Sequence, residues 1–184
     1  MSRAFVVALL GAESTGKTTL ANSLGAVLAA RGAQVRVVAE VLREFCDREG
    51  RTPRQDEQAA IAAAQTRRID DAAASAEIVV ADTTALMIAV YSDLLFGDRS
   101  LYAAAESAQR RCDLTLLTAL DLPWQVDGFI RDGAHVREPV DQRVRVALAC
   151  AGVDGAPFRP STSSGRGPFD PSTRSGLGAG GAKR

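Results

Sequence analysis

The sequence predicts an α/β fold in which a parallel sheet is covered by helices on both faces. Three observations carry that expectation: short apolar runs of strand length recur along the chain, helical patterns separate them, and a glycine-rich loop joins the first run to the first helix. With 184 residues, 46% hydrophobic and 24% charged, the chain suits one soluble domain around a single core.

Taken in order, Phe5–Leu10 is a continuous apolar run, as expected of a parallel strand buried on both faces. Lys17–Ala30 reads as a helix with Leu20, Leu24, Val27 and Leu28 on one face. Residues 35–39 are a second, β-branched run, entered through Gly32 and ended by Glu40. An Ala-rich stretch over residues 54–76 predicts a long helix, with Pro53 at its start and Ile61, Gln65 and Ile69 sharing a face. Residues 78–81 form the third strand, closed by Asp82. Helical patterns over Ala85–Phe96 and residues 101–110 flank Gly97-Asp98-Arg99, and residues 114–117 are the fourth strand. Residues 121–136 are irregular and rich in Gly, Pro and charge; Glu138-Pro139 then opens a last helix to about residue 151.

The loop between the first strand and helix, Gly11-Ala12-Glu13-Ser14-Thr15-Gly16-Lys17-Thr18, fits G-x-x-x-x-G-K-[ST] in the strand-to-helix context a phosphate-binding loop (P-loop) requires. Its glycines let backbone N–H groups turn inward around phosphates, the helix start adds a positive dipole end, and Lys17 reaches the terminal phosphates. Residues Gly11, Ala12, Glu13, Ser14, Thr15, Gly16, Lys17, Thr18 and Thr19 are therefore the candidate ATP-binding set, with Thr18 a candidate Mg²⁺ ligand. Lys17 is the only lysine before Lys183 in a chain with twenty arginines, which sets it apart from compositional drift.

Glu40 and Asp82 each follow an apolar strand, which puts both carboxylates at the carboxyl edge of the sheet, where ligands of open α/β folds bind. One would join the metal shell and the other would orient or deprotonate an acceptor hydroxyl, in an order the spacing leaves open. The competing reading for each is a cap on the helix that follows. No N-K-x-D stands in the chain, which argues against a GTPase. Arg131 and Arg137 lie on a Gly-punctuated loop before the last helix; such a loop can close over a nucleotide and bring arginines to developing negative charge. Surface ion pairs on a solvated loop are the alternative. His135 reads as a loop residue, and Trp124, after Pro123, as an apolar anchor for that lid.

The chain changes character at about Gly155. Residues 160–167 and 171–178 are near copies, identical at six of eight positions and rich in Ser, Gly and Pro. Two such copies bury too little apolar surface to offset the entropy of ordering them, so a disordered tail over 155–184 is expected beside a folded domain over 1–154. Residues 157–184 are net +4, leaving 1–156 at −4. An acidic body lacks the basic face that nucleic-acid phosphates require, and no apolar run reaches the roughly 20 residues of a bilayer span, so neither partner is expected. Cys46, Cys112 and Cys150 are far apart without a C-x-x-C, and there is one His, which gives no metal-ligand spacing and suits reduced thiols in a cytoplasmic protein. Met1-Ser2-Arg3 and the apolar run after it resemble a secretory signal, but a P-loop directly behind that run calls for a buried strand.

Together these residues resemble the bacterial NadR-type ribosylnicotinamide kinase family of P-loop proteins. The resemblance rests on residues 11–19, Glu40-Val41-Leu42-Arg43-Glu44-Phe45, Asp82-Thr83-Thr84, Tyr91 to Asp98, and Asp121-Leu122-Pro123-Trp124 running into Asp127-Gly128 and Arg131 to Glu138; it covers about residues 4–152. It implies a nucleoside-kinase-like three-layer α/β/α fold that moves the γ-phosphoryl of ATP to the ribose 5′-hydroxyl of nicotinamide riboside. Lys17 and Thr18 would then serve ATP and Mg²⁺, and Arg131 and Arg137 would be catalytic lid arginines. Glu40, Arg43, Asp82 and Thr83 would face the riboside, with Asp82 also a candidate for the metal shell. The adenylyltransferase domain of longer members has no counterpart here, so synthesis of the dinucleotide is not expected. The family pattern continues past residue 151 with a last strand and helix, whereas this chain turns to the repeat; the closing strand is expected to be missing, with weakened ATP affinity and stability. The function expected is thus an ATP-dependent riboside kinase of NAD salvage. The competing readings are a regulatory P-loop ATPase and a nucleotide-binding module without kinase activity.

Overall fold

The computed structural model describes residues 3–124 and 134–159. Five strands, β1 (Phe5–Leu10), β2 (Val35–Val38), β3 (Ile78–Asp82), β4 (Leu114–Thr118) and β5 (Gly155–Phe158), form one all-parallel sheet in the order β2-β3-β1-β4-β5. The helices among the described residues are α1 (Lys17–Ala30), α2 (Val41–Glu49), α3 (Gln55–Ala73), α4 (Ala85–Phe96), α5 (Tyr102–Gln109) and α6 (Arg137–Ala151), the last entered through a short 3₁₀ turn at Ala134–Val136. The α/β expectation holds, and the predicted strands and long helices lie within a few residues of their expected bounds. None of the described helices is long and apolar enough to cross a membrane.

β1 is buried on both faces because it lies third in the sheet. Val7 and Leu9 pack with Ala21 of α1 and Val80 on one side, whereas Val6 joins Ile69 of α3 and Val79 on the other. Leu10 and Leu117 reach the largest cluster, built from α2, α3, α4, α5 and α6. One face is therefore covered by α1 and the opposite face by the other helices. On α1, Leu20, Leu24 and Leu28 pack on the sheet as expected, but Val27 is 51% exposed. The helix touches the sheet through small residues: Ala21 and Gly25 are buried, and a Cβ on Gly25 would come within 2.5 Å of Val37. Val27 is roughly 200° round the helix from Gly25 and points away.

Two elements depart from the sequence reading. α2, which follows Glu40 directly, has no counterpart in the expected elements; it is a short helix that buries only Val41, Leu42 and Cys46. The second departure corrects the expectation that the closing strand is missing. Gly155–Phe158 pairs in parallel with Thr115–Thr118 of β4, and Ala119 N–H donates to Phe158 O at 3.0 Å. The domain boundary expected at 154/155 therefore falls in front of a strand. Gly-Ala-Pro-Phe has little strand propensity, but an edge strand needs hydrogen bonds on one side only, which tolerates the missing N–H of Pro157. Gly155 also suits the position, since a Cβ there would meet Leu148 at 3.0 Å. The strand removes one ground for the expected loss of stability, while the segment after it, on which the expected loss of ATP affinity rests, lies outside the described residues. The repeat at 160–178 lies outside the described residues.

The α2–α3 elbow is clamped by charge. Arg51 grips Glu57 through two hydrogen bonds of 2.7 Å, Glu57 accepts the Arg54 N–H at 2.8 Å, and Arg48 and Arg51 lie over the Phe45 ring. The Arg51 fork, followed by the Arg54 N–H, holds the Glu57 carboxyl at about 2, below its ordinary 4.5. Because the folded value is depressed, the stabilisation is present above pH 4.5 and lost as pH falls through about 2. Thermal melts of Glu57→Gln should therefore show a lower Tm than wild type at neutral pH, with the gap closing as acid is added; a gap independent of pH would refute the clamp.

Candidate functional site

The site forms where β1, β3 and β4 end together. After Leu10 the chain turns through Gly11 (φ 140°), and Ser14 (φ 55°) and Gly16 (φ 80°) are also left-handed, a sequence of conformations that turns successive N–H groups toward one concavity. Gly11 is required for space as much as for conformation: a Cβ there would lie 2.1 Å from the Thr118 hydroxyl of β4. That hydroxyl contacts Thr15 Oγ1 at 2.6 Å and donates to Leu10 O, while Thr15 Oγ1 reaches Ala12 O at 2.8 Å. Thr15 and Ala12 are buried, so within the expected ATP set their side chains shape the loop rather than face the cleft.

Lys17 opens α1 and donates to Ala12 O at 2.8 Å. Burial lowers its pKa, opposed by the charges of Glu40, Asp82 and Glu13. The next residue, Thr18, donates its hydroxyl to Asp82 Oδ2 at 2.6 Å. Asp82 ends β3 only 4% exposed, and its Oδ1 has no hydrogen-bond partner among the described residues. Glu40 ends the β2 segment at the start of α2; burial raises its pKa, against the pull of Lys17, and Arg43 Nε lies 3.7 Å from its carboxylate. Neither acid is a helix cap. Glu40 makes no side-chain cap bond, and α4 is capped by Thr84, whose hydroxyl accepts the Leu86 N–H at 3.3 Å.

A cleft of about 450 Å³ is lined by Ser14, Gly16, Lys17, Thr18 and Thr19, by Glu40 and Arg43, and by Leu122 and Pro123. A smaller cavity of about 30 Å³ opens beside it behind Lys17, Glu40 and Arg43, walled by Thr83, Met87 and Tyr91. Thr83 is held at φ 81°, strained for a β-branched residue. The structure thus brings together Lys17, Thr18, Glu40, Arg43, Asp82 and Thr83. Arg137 is not among the cleft residues: it is 8% exposed and donates through Nη1 to Leu122 O at 3.0 Å, with Nε and Nη2 unpartnered among the described residues. It backs the Leu122 segment that covers the P-loop. Arg131 lies outside the described residues. Met87 escapes the sequence reading because α4 is apolar over nearly all its length and no face of it stands out, and Tyr91, four residues on, enters that reading only through the resemblance and not as a site residue.

Residues 6–160 match the family described as AAA domain, and the chain belongs to that family. A search of curated proteins finds no match. Among solved structures, a NadR protein in complex with NAD and AMP-PNP is similar at TM-score 0.65 and 21% identity, covering 85% of this chain and 44% of that one. A NadR protein in complex with NR is similar at TM-score 0.65, 22% identity and the same coverage. A deoxyadenosine kinase from M. mycoides, solved with the products dCMP and a flexible dCDP, is similar at TM-score 0.55 and 13% identity, covering 85% of this chain and 90% of that one. The chain thus spans less than half of the NadR chains, and the shared property is a nucleoside-kinase-like P-loop fold.

Filling the space at Gly11 tests the geometry of the loop. Gly11→Ala should cost about 2–4 kcal/mol through overpacking and strain. Adding Thr118→Ala, which removes the clashing hydroxyl, should recover part of that loss in denaturant melts, whereas additive losses would show that Thr118 is not what excludes the side chain.

Proposed function

From a P-loop chain of this family, we propose an ATP-dependent small-molecule kinase acting on the 5′-hydroxyl of a riboside, nicotinamide riboside being the acceptor its sequence resemblance implies. The observation that carries the reading is the pair of carboxylates whose charges act on Lys17, buried Asp82 bonded to Thr18 and partly buried Glu40 in the wall of the 450 Å³ cleft. The NadR neighbours solved with AMP-PNP and with NR support the same class.

The pairing with Thr18 separates the two acids. Thr18 and Asp82 suit a divalent cation, because Asp82 Oδ1 is buried without a partner and Mg²⁺ commonly takes one or two protein oxygens, completing its shell with phosphate and water. Mg²⁺ bound there would neutralise charge on the transferring phosphates. Glu40 is then the base: its raised pKa suits a group that takes the proton from the acceptor hydroxyl. The hydroxyl oxygen bonds the γ-phosphorus, the bond to the β–γ bridging oxygen breaks, and ADP departs. Lys17 leaves Ala12 O to meet the transferring phosphoryl, and Arg43 stands next to Glu40 at the acceptor. In this reading Arg131 is the lid arginine, Arg137 supports the Leu122 segment from behind, and the enzyme is a cytoplasmic one that needs no nucleic-acid or membrane partner.

Purified protein with Mg²⁺ and ATP should phosphorylate nicotinamide riboside in preference to ordinary nucleosides, with Lys17→Ala as the blank; ATP hydrolysis indifferent to every acceptor would replace the kinase by an ATPase. Glu40→Gln should lower kcat about 10²–10⁴-fold while ATP binding persists; an unchanged kcat would remove Glu40 from the chemistry. Nucleotide affinity should weaken with rising pH at values below the ordinary lysine 10.5, as Lys17 loses its proton, and Lys17→Arg should abolish that limb in a binding titration.

A further inference from the structure

Gln65 lies in the middle of α3 and is fully buried. A buried primary amide must place one acceptor and two donors, and here all go to backbone at the edge of the site. Its Oε1 accepts the Val41 N–H at 2.8 Å, and its Nε2 approaches Thr83 O at 3.3 Å and Ala39 O at 3.4 Å. The amide orientation is dictated by the partners, since an N–H can only donate and a carbonyl can only accept. Ala39 and Val41 are the two neighbours of Glu40, and Thr83 is the residue after Asp82. One side chain from a third element therefore touches the backbone on both sides of one acid and directly beyond the other.

This arrangement answers two local problems. A helix start leaves its first N–H groups without intrahelical partners, and the residue before α2 would ordinarily satisfy one with its own side chain. Glu40 holds that position without making the bond, and Gln65 separately supplies an acceptor to the first helical N–H, that of Val41. The Glu40 carboxylate, with no cap bond of its own, lines the cleft beside Lys17. Thr83, meanwhile, keeps a left-handed conformation that costs about 1–3 kcal/mol and persists only where its surroundings hold it. Its carbonyl is held by the same amide.

We propose that Gln65 is a positioning residue that holds the first N–H of α2 and sets the spacing between Glu40 and the Asp82–Thr83 turn, so that the Glu40 carboxylate faces the cleft. The kinetic consequence rests on the kinase reading; the geometric one does not. Gln65→Met keeps the length of the side chain and removes all three contacts. It should lower acceptor-dependent kcat about 10–100-fold, the scale of a displaced catalytic group, with the KM for ATP unchanged because the P-loop is untouched. Hydrogen exchange at the Val41 amide should accelerate at least about tenfold, the loss of one hydrogen bond of about 1.4 kcal/mol. A folded Gln65→Met with wild-type kcat overturns the proposal, as does a rise in ATP KM matching the fall in kcat, which marks general loosening. Gln65→Glu, which keeps an acceptor for Val41 but only one potential donor, stands in if the Met variant fails to fold: slow Val41 exchange with reduced kcat supports the proposal, and wild-type kcat overturns it. A wild-type protein without acceptor-dependent turnover defeats the kinase reading; the Val41 exchange rate in Gln65→Met then decides the geometry alone, and an unchanged rate overturns it.

Discussion

The approach of β4 to the turn after β1 is the constraint on which the carboxyl edge of the sheet depends. Leu10 and Leu117 are paired in register, which brings Thr118 against Gly11 so closely that no side chain fits between them. Parallel register follows from which side chains face which layer, since a slip of one residue would turn every apolar group to the wrong side. Once that register is set, the Thr118 and Thr15 hydroxyls meet in a buried contact, and the P-loop backbone is tied to the strand that leads into the covering segment. Gly11 is thus a matter of room, whereas Ser14 and Gly16 shape the curl itself.

Electrostatics at this edge follow from crowding charge where water is scarce. Burial disfavours the charged form of Lys17 and of Glu40 alike, moving the lysine down and the acid up. Their mutual attraction opposes both shifts. Lys17 rests on Ala12 O, a contact that asks little of it to leave. Buried amides and hydroxyls hold the scaffold around these charges: Thr84 donates to Gln109, and Gln109 in turn donates to Thr115 of β4, linking α4, α5 and the sheet.

The P-loop, the apolar strands and the acids that end them are legible because each rests on contiguous residues with a local physical meaning. Other parts are not local. Gln65 reads from sequence as one polar residue on an apolar helix face; its role depends on partners from Ala39 to Thr83 that only folding assembles. Met87 is hidden in a helix with no polar face to orient it. Arg137 was legible as an arginine near the cleft, but its burial behind Leu122 was not.

By itself, the amino-acid sequence determined the alternation of strands and helices, the phosphate-binding loop with Lys17, and the presence of Glu40 and Asp82 at strand ends, since periodicity and residue spacing are properties of the chain. Tertiary structure decided which acid pairs with Thr18, because β3 lies beside β1 and brings Asp82 to 2.6 Å from that hydroxyl while β2 stands one strand further out. It decided too that Gly155–Phe158 is a strand: four residues of low propensity extend because the open edge of β4 offers them hydrogen bonds that water alone would otherwise supply.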